Sequence, residues 1–371
     1  MNILIFFVIL LVVVLVHEAG HFFVAKYFKI RVDEFGFGFP PKAMTLFKKG
    51  ETEYTLNWLP IGGFVKIYGE NPDEENTTGP DASRSFVNKP RWQQALVLFA
   101  GVFMNFILAW VLFSVGFMSG LPTSQGVEPK GAVLQDVNLV VVSVLPESPA
   151  ELSGLKSGDK ILSVTKTDED NNQKVLEEIN PETVRSFVLE SENQKINIGY
   201  TRGQEEILHT AEITPTLNKD NNLAIGISMD NIGTAKLPFF SALVEGMKLT
   251  IYQTKNTALG LFGLVSNAIK GDGDLSAVAG PVGMTQIVGE AYKFGFVYLL
   301  SFTALISVNL AIINLVPFPA LDGGRLLFLL IEKIKGSRLN QNFANTANMV
   351  GFFLLILLML IITYNDITKL F

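Results

Sequence analysis

The sequence predicts a polytopic α-helical membrane protein of four transmembrane helices, with a membrane re-entrant β-hairpin and one inserted extracytoplasmic α+β domain. Three observations carry that fold class. Apolar runs recur over residues 3–25, 92–118, 294–316 and 349–364, of the order of the roughly 20 residues a helix needs to cross a bilayer core. Between the second and third runs, residues 125–215 are rich in charge, turn residues and strand-like alternation. Hydrophobic residues make up 49% of the chain against 17% charged, and mean hydropathy is positive, which is high for a soluble globular protein.

Composition also excludes several kinds of chemistry. A net charge of −6 gives no basic footprint for nucleic acid. The absence of cysteine rules out disulfides, iron–sulfur clusters and thiolate zinc sites. At 371 residues there is room for a membrane core and one or two smaller domains.

The first span, residues 1–27, has no Lys or Arg ahead of its apolar run, which passes into His-Glu-Ala-Gly-His instead of a small-residue cleavage site. It reads as a retained helix and not as a signal peptide. His17 and His21 are four residues apart, so they share one helix face and their imidazoles can share one metal ion. Glu18 lies about 100° further round, within reach of a metal-bound water. A carboxylate in a bilayer helix costs roughly 2.5–3.5 kcal/mol on insertion scales and is kept where it has a partner and a task. The alternative is two chance histidines on a buried helix. With three histidines in the chain, a third protein ligand has to be His209 or a carboxylate. His209 falls on an expected strand of the inserted domain, where a lone histidine is ordinarily a surface residue.

Residues 28–91 carry most of ten closely spaced cations, from Lys26 to Arg91, which places this segment in the cytoplasm. Residues 35–39 and about 52–70 are aromatic and β-branched around Pro60, Gly62 and Gly63, a hairpin signature. Its apolar character points to a hairpin dipping into the membrane beside the histidines; an ordinary surface hairpin is the alternative. The second span, 92–119, contains Asn105, read as helix-packing glue in preference to a group facing a polar cavity.

In the inserted domain, 125–215, strands are expected at 139–144, 160–164, 195–200 and 206–213, with a helix at 181–190. Residues 149–161, with Gly154 and Leu155 in a loop before a Gly158-Asp159 turn, resemble the carboxylate-binding region of bacterial PDZ domains. That resemblance implies capture of a peptide C-terminus by backbone N–H groups; a PDZ fold acting only as a steric plug is the alternative. Residues 236–283 read as an amphipathic, interfacial helical segment, its apolar runs interrupted at 253–256, that ends in a glycine-rich stretch, 271–283.

The third span, 294–324, carries Asn309 and Asn314 and is broken by Pro317, Pro319, Gly323 and Gly324 around Asp322. Asp322 is the acidic residue outside the first motif with apolar sequence closely on both sides, so by elimination it is the best third ligand; the alternative is that it caps the next helix. Residues 325–347 are polar and basic, again cytoplasmic, and 348–366 form the fourth span. An even number of spans puts both termini outside.

Together, His-Glu-Ala-Gly-His in the first span, a PDZ-like insert, Gly280-Pro-Val-Gly283 and residues 309–324 ending in Leu-Asp-Gly-Gly are similar to the bacterial site-2 intramembrane zinc proteases, RseP-like but with a single PDZ domain. The resemblance implies one zinc ion held by His17, His21 and Asp322, with Glu18 as general base toward a zinc-activated water. It implies Asn309, Asn314 and the Gly62-Gly63 hairpin as substrate-binding elements. It also implies residence in the bacterial cytoplasmic membrane and a pre-cleaved, single-span membrane-protein substrate, such as an anti-sigma factor or a signal-peptide remnant. A non-catalytic scaffold is opposed by the intact motif residues. A zinc transporter would distribute ligands along a path, whereas here they gather at one depth.

Overall fold

The structure, a computed structural model, describes all residues except 72, 168–172, 193, 204–206, 219–220, 272–277 and 369–371. The strand start expected at 206 and part of the glycine-rich stretch 271–283 lie outside the described residues. The chain divides into two compact units: Met1–Ser114 with Gly246–Gly289 and Leu300–Phe371, and Val115–Glu245 with Glu290–Leu299.

The first unit opens with α1 (Asn2–Tyr27), followed by β1 (Val32–Lys49), β2 (Thr52–Ile67), the short α2 (Glu74–Thr78) and α3 (Arg91–Ser119). β1 and β2 are long because each is used twice. The start of β1 pairs with the end of β2, Val32 opposite Ile67 and Phe37 opposite Gly63, and on its other side with the start of β2, Phe35 opposite Tyr54. The second half of β1 returns along the start of β2, Met44 opposite Leu56 and Lys49 opposite Thr52. The chain therefore reverses at Gly50, with φ +63°, and again across 60–62, since residues 54–59 run alongside 35–39 while 63–65 run back against them, as the turn residues led one to expect. Gly62, with φ +77°, supplies the left-handed backbone of that second reversal. Phe22 of α1 meets Phe35 edge-on at 5.5 Å, and Phe35 lies 5.9 Å from Tyr54, so the sheet is seated on the first helix through aromatic contacts.

Helices α1 and α3 approach closely. A Cβ on Gly20 would come within 2.3 Å of the Ala100 carbonyl oxygen, so only glycine fits at that crossing. Further along, Ala109 and Phe113 of α3 pack with Ala304 and Val308.

After the second unit the chain returns through α6 (Phe239–Lys270), α7 (Pro281–Phe294), α8 (Phe296–Leu315), α9 (Asp322–Lys335) and α10 (Gln341–Thr368). Helix α6 runs unbroken through 253–256, where its apolar pattern lapses. The Thr250 and Thr254 hydroxyls donate back to Gly246 and Thr250 carbonyls, at 2.7 Å each, which lets polar residues remain helical. The Gly-Pro-Val-Gly turn has a clear cause: Asp366 of α10 accepts from the backbone N–H of Gly280 and of Gly283, at 3.1 and 2.8 Å, and so caps α7 from another helix. Among the described residues, α1, α3, α8 and α10 are long and apolar enough to cross a membrane.

The third apolar stretch is two helices, broken at the prolines and glycines that led one to expect a break. Helix α8 stops at Leu315 before the prolines, and α9 begins at Asp322. A Cβ on Gly323 would meet the Val316 carbonyl oxygen at 2.2 Å, and one on Gly324 the Phe318 carbonyl oxygen at 2.2 Å. The two glycines thus let the first turn of α9 press against the end of α8. The N-cap position is Leu321, without a side-chain cap bond, so Asp322 is not the capping residue and its carboxylate is available elsewhere.

The second unit is built on a sheet in the order β3-β11-β4-β5-β7-β8, with β6 on β5. Its strands are β3 (Leu121–Ser124), β4 (Leu134–Val144), β5 (Lys160–Thr167), β6 (Gln173–Val175), β7 (Ile196–Thr201), β8 (His209–Ile213) and β11 (Ile227–Ala235). The small pair β9 (Thr216–Leu217) and β10 (Leu223–Ala224) precedes β11. Helices α4 (Pro149–Leu152) and α5 (Pro181–Leu189) complete it. Alternation supplies one core face, with Val141, Ile161, Val164, Ile196, Ile198 and Ile213 buried together with Val184 and Phe187 of α5. Asn180 caps α5 in a reciprocal box with Thr183. The sheet reaches past residue 215, the end expected from the sequence. Strand β11, pairing with both β3 and β4, carries Asp230, Asn231 and Gly233, which mask its strand character.

Candidate metal centre

The centre is assembled from residues of α1, α3, α8 and the start of α9 that all lie in the first unit. His17 and His21 are buried, 5% and 7% exposed, and their rings meet edge-on with centroids 4.7 Å apart. His21 Nδ1 donates to the Val97 carbonyl of α3 at 2.8 Å, which leaves its Nε2 with a bare lone pair. The Nε2 atoms of the two histidines are 3.1 Å apart. Asp322 Oδ2 lies 3.0 Å from His17 Nε2 and 3.3 Å from His21 Nε2. An ion with tetrahedral bonds of about 2.0–2.1 Å has ligand–ligand edges of about 3.3–3.4 Å. The three separations fall close to that, so the donor set fits zinc in kind and in spacing. Among the described residues it is the one cluster of His, Asp and Glu able to hold a metal ion.

A cavity of about 450 Å³ opens on these residues. Glu18 lines it and faces the backbone amide of Val65. Gly63, Phe64, Val65 and Ile67 of β2 form another part of the wall. Asn314 of α8 also lines it, with its amide nitrogen 3.4 Å from His17 Nε2. Glu70 and Arg325 share the wall and are ion-paired to each other.

Of the residues singled out in the sequence, the structure brings together His17, Glu18, His21, Asp322, Asn314 and Gly63. Gly62 adjoins the same wall, where a Cβ would meet Phe39 at 3.1 Å and Val14 at 3.4 Å. Asn309 is not part of the cavity: it is exposed and accepts from the Thr257 hydroxyl at 3.0 Å. His209 is on β8 of the second unit, stacked on Tyr200 at 5.4 Å. In the same unit, Gly154 and Leu155 are engaged internally. Their N–H groups donate to the carbonyls of Glu151 and Ala150, at 2.9 and 3.0 Å, and the Leu155 side chain belongs to the core. Those two amides are therefore spent and do not provide the carboxylate clasp expected of them.

Sequence reasoning missed Glu70 and Arg325, whose pairing across the chain has no local signal. Asn105, read as helix-packing glue, is wholly buried with its amide nitrogen 3.4 Å from His17 Nδ1.

The model of peptidase family M50 matches residues 5–358. The chain belongs to peptidase family M50. Similar M50-type proteins include one of Clostridium perfringens named as a putative zinc metalloprotease, 35% identical with 95% of each chain covered. Another is the regulator of sigma-W protease RasP of Bacillus subtilis, 30% identical, covering 99% of this chain and 98% of RasP. The zinc metalloprotease RasP of Shouchella clausii is 28% identical, covering 100% and 99%. This M50 peptidase is thus a zinc metalloprotease of the bacterial site-2 type, with zinc as its cofactor.

Proposed function

We propose that the protein is an intramembrane endopeptidase that cuts the transmembrane segments of single-span membrane proteins, with His17, His21 and Asp322 holding one zinc ion and Glu18 as general base. The observation that carries this reading is the convergence of three ligand atoms and Glu18 on one cavity among helices long and apolar enough to span a membrane. Bound zinc supplies Lewis acidity toward the scissile carbonyl and acidifies a water. Glu18 takes the proton from the attacking water and returns it to the leaving amine. Asn314, whose amide nitrogen lies 3.4 Å from His17 Nε2, donates to the substrate backbone.

A transmembrane substrate arrives with its carbonyls tied up in helical hydrogen bonds, and unwinding it in an apolar setting leaves backbone groups unpaired. The end of β2, from Gly63 to Ile67, lines the same cavity as Glu18 and offers a strand against which an unwound segment can pair. This supports a sheet set within the membrane beside the metal. The cytoplasmic placement of residues 28–91 follows from their cations. It leaves the second unit and both termini outside the cytoplasmic membrane. For that unit, read as a PDZ-type domain, we favour gating of access over capture of a peptide C-terminus at Gly154 and Leu155, since their N–H groups are already bonded. RasP is a regulator of sigma-W by name, and an anti-sigma-factor-like protein, pre-cleaved outside, fits as substrate here.

The test is the position of the cut. Purified protein is incubated in detergent with tagged single-span substrates, and the products are mapped by mass spectrometry. Cleavage inside the apolar segment is expected; cleavage confined to flanking polar sequence would overturn the intramembrane reading.

A further inference from the structure

The two histidines of the centre are held by different groups on the same helix. His21 Nδ1 faces the Val97 carbonyl at 2.8 Å. A carbonyl only accepts, so the proton stays on Nδ1 and Nε2 is free to bind a metal. Among the described residues, His17 Nδ1 has no carbonyl partner. It faces the side-chain amide of Asn105, whose Nδ2 lies 3.4 Å away. Asn105 is 0% exposed, and its Oδ1 is buried without a hydrogen-bond partner.

An amide's oxygen and nitrogen ends are nearly the same size, so a half-turn exchanges them with no change of shape. With Nδ2 toward His17, Nδ1 accepts and the imidazole proton sits on Nε2, where it blocks ligation. With Oδ1 toward His17, Nδ1–H donates and Nε2 is bare. With Nδ2 toward His17, Oδ1 is left buried without a partner, so no hydrogen bond at the oxygen end holds that orientation. A metal-binding Nε2 requires the second. A buried amide with a single neighbour is also a poor device for packing two apolar helices, where a leucine would serve.

We propose that Asn105 is a positioning residue for the metal centre: its amide oxygen accepts from His17 Nδ1–H and holds the imidazole in the tautomer that presents Nε2 to the ion. On α3, Asn105 does for His17 what the Val97 carbonyl does for His21. The proposal rests on the assignment of His17 and His21 as zinc ligands.

The test measures zinc affinity of the detergent-solubilised full chain by chelator competition in wild type, Asn105→Leu, Asn105→Asp and His17→Ala. Asn105→Leu removes the acceptor at similar volume and should weaken zinc binding about 10- to 100-fold. Asn105→Asp keeps an acceptor oxygen and should stay within about threefold of wild type. Wild-type affinity in Asn105→Leu, or a fall in Asn105→Asp as large as in Asn105→Leu, would overturn the proposal. If His17→Ala retains zinc, the ligand assignment itself fails; if it loses zinc while Asn105→Leu keeps it, only the role of Asn105 fails. Because the chain has three histidines, histidine-selective ¹⁵N spectra of the zinc-loaded wild type give a second readout that does not depend on a variant folding. A protonated, hydrogen-bonded His17 Nδ1 is expected, and an unprotonated Nδ1 would overturn the proposal.

Discussion

At the scale of single residues, the metal centre depends on a position with no side chain. A Cβ on Gly101 would lie 2.4 Å from His21 Nε2 and 2.8 Å from His17 Cε1, distances no neighbour tolerates without moving. Gly101→Ala should therefore lower zinc affinity at least about tenfold by chelator competition, and wild-type affinity would contradict the close fit. Asp322→Ala should release most of the zinc, measured as metal per protein after dialysis; full retention would remove Asp322 from the ligand set. His17, Glu18 and His21 were legible in the sequence because their geometry is local to one helix. Asp322 became legible through scarcity, since cysteine is absent and histidine nearly so. Asn309 and Asn314 were inseparable by residue type, but five positions on a helix amount to about 140° of rotation, so both could not face one site, and Asn314 is the one that does. The direction of Asn105 depends on the rotation of α3 about its axis, which apolar sequence on every side does not reveal.

Among the elements, the spans and the two-helix break at Asp322 follow from apolar length and from proline and glycine placement. The β1–β2 sheet shows where such reasoning stops. Pro60, Gly62 and Gly63 mark one reversal, but no local turn signal shows that residues 35–37 pair on both sides, with 54–56 and with 63–65. Strand β11 was hidden by its polar residues, though it is interior to the sheet. The second unit also holds a buried charge whose support can be measured. Asp159 has a wholly buried side chain and receives Arg202 through two hydrogen bonds, Nε to Oδ1 at 2.7 Å and a terminal nitrogen to Oδ2 at 2.8 Å. The carboxylate in turn holds the Arg202 guanidinium above its ordinary pKa. Arg202→Met leaves that carboxylate without its cation and should destabilise the unit by about 3 kcal/mol, seen as a lower urea midpoint for protease resistance of this unit in the full chain. A loss under about 0.5 kcal/mol would show that the pair is not a structural support.

For the whole molecule, the absence of cysteine makes the topology directly testable. Lys48 and Lys174 both have side chains 58% exposed, one in the sheet expected on the cytoplasmic side and one in the second unit. In intact cells, a membrane-impermeant maleimide should label Lys174→Cys and spare Lys48→Cys; the reverse pattern would invert the placement. The central claim is that Glu18 does the chemistry beside a zinc ion it does not itself hold. It is tested by purifying Glu18→Gln and measuring zinc content and cleavage of a tagged single-span substrate on the same preparation. The account predicts unchanged zinc and cleavage reduced at least about 100-fold; cleavage at the wild-type rate with zinc in place would contradict it.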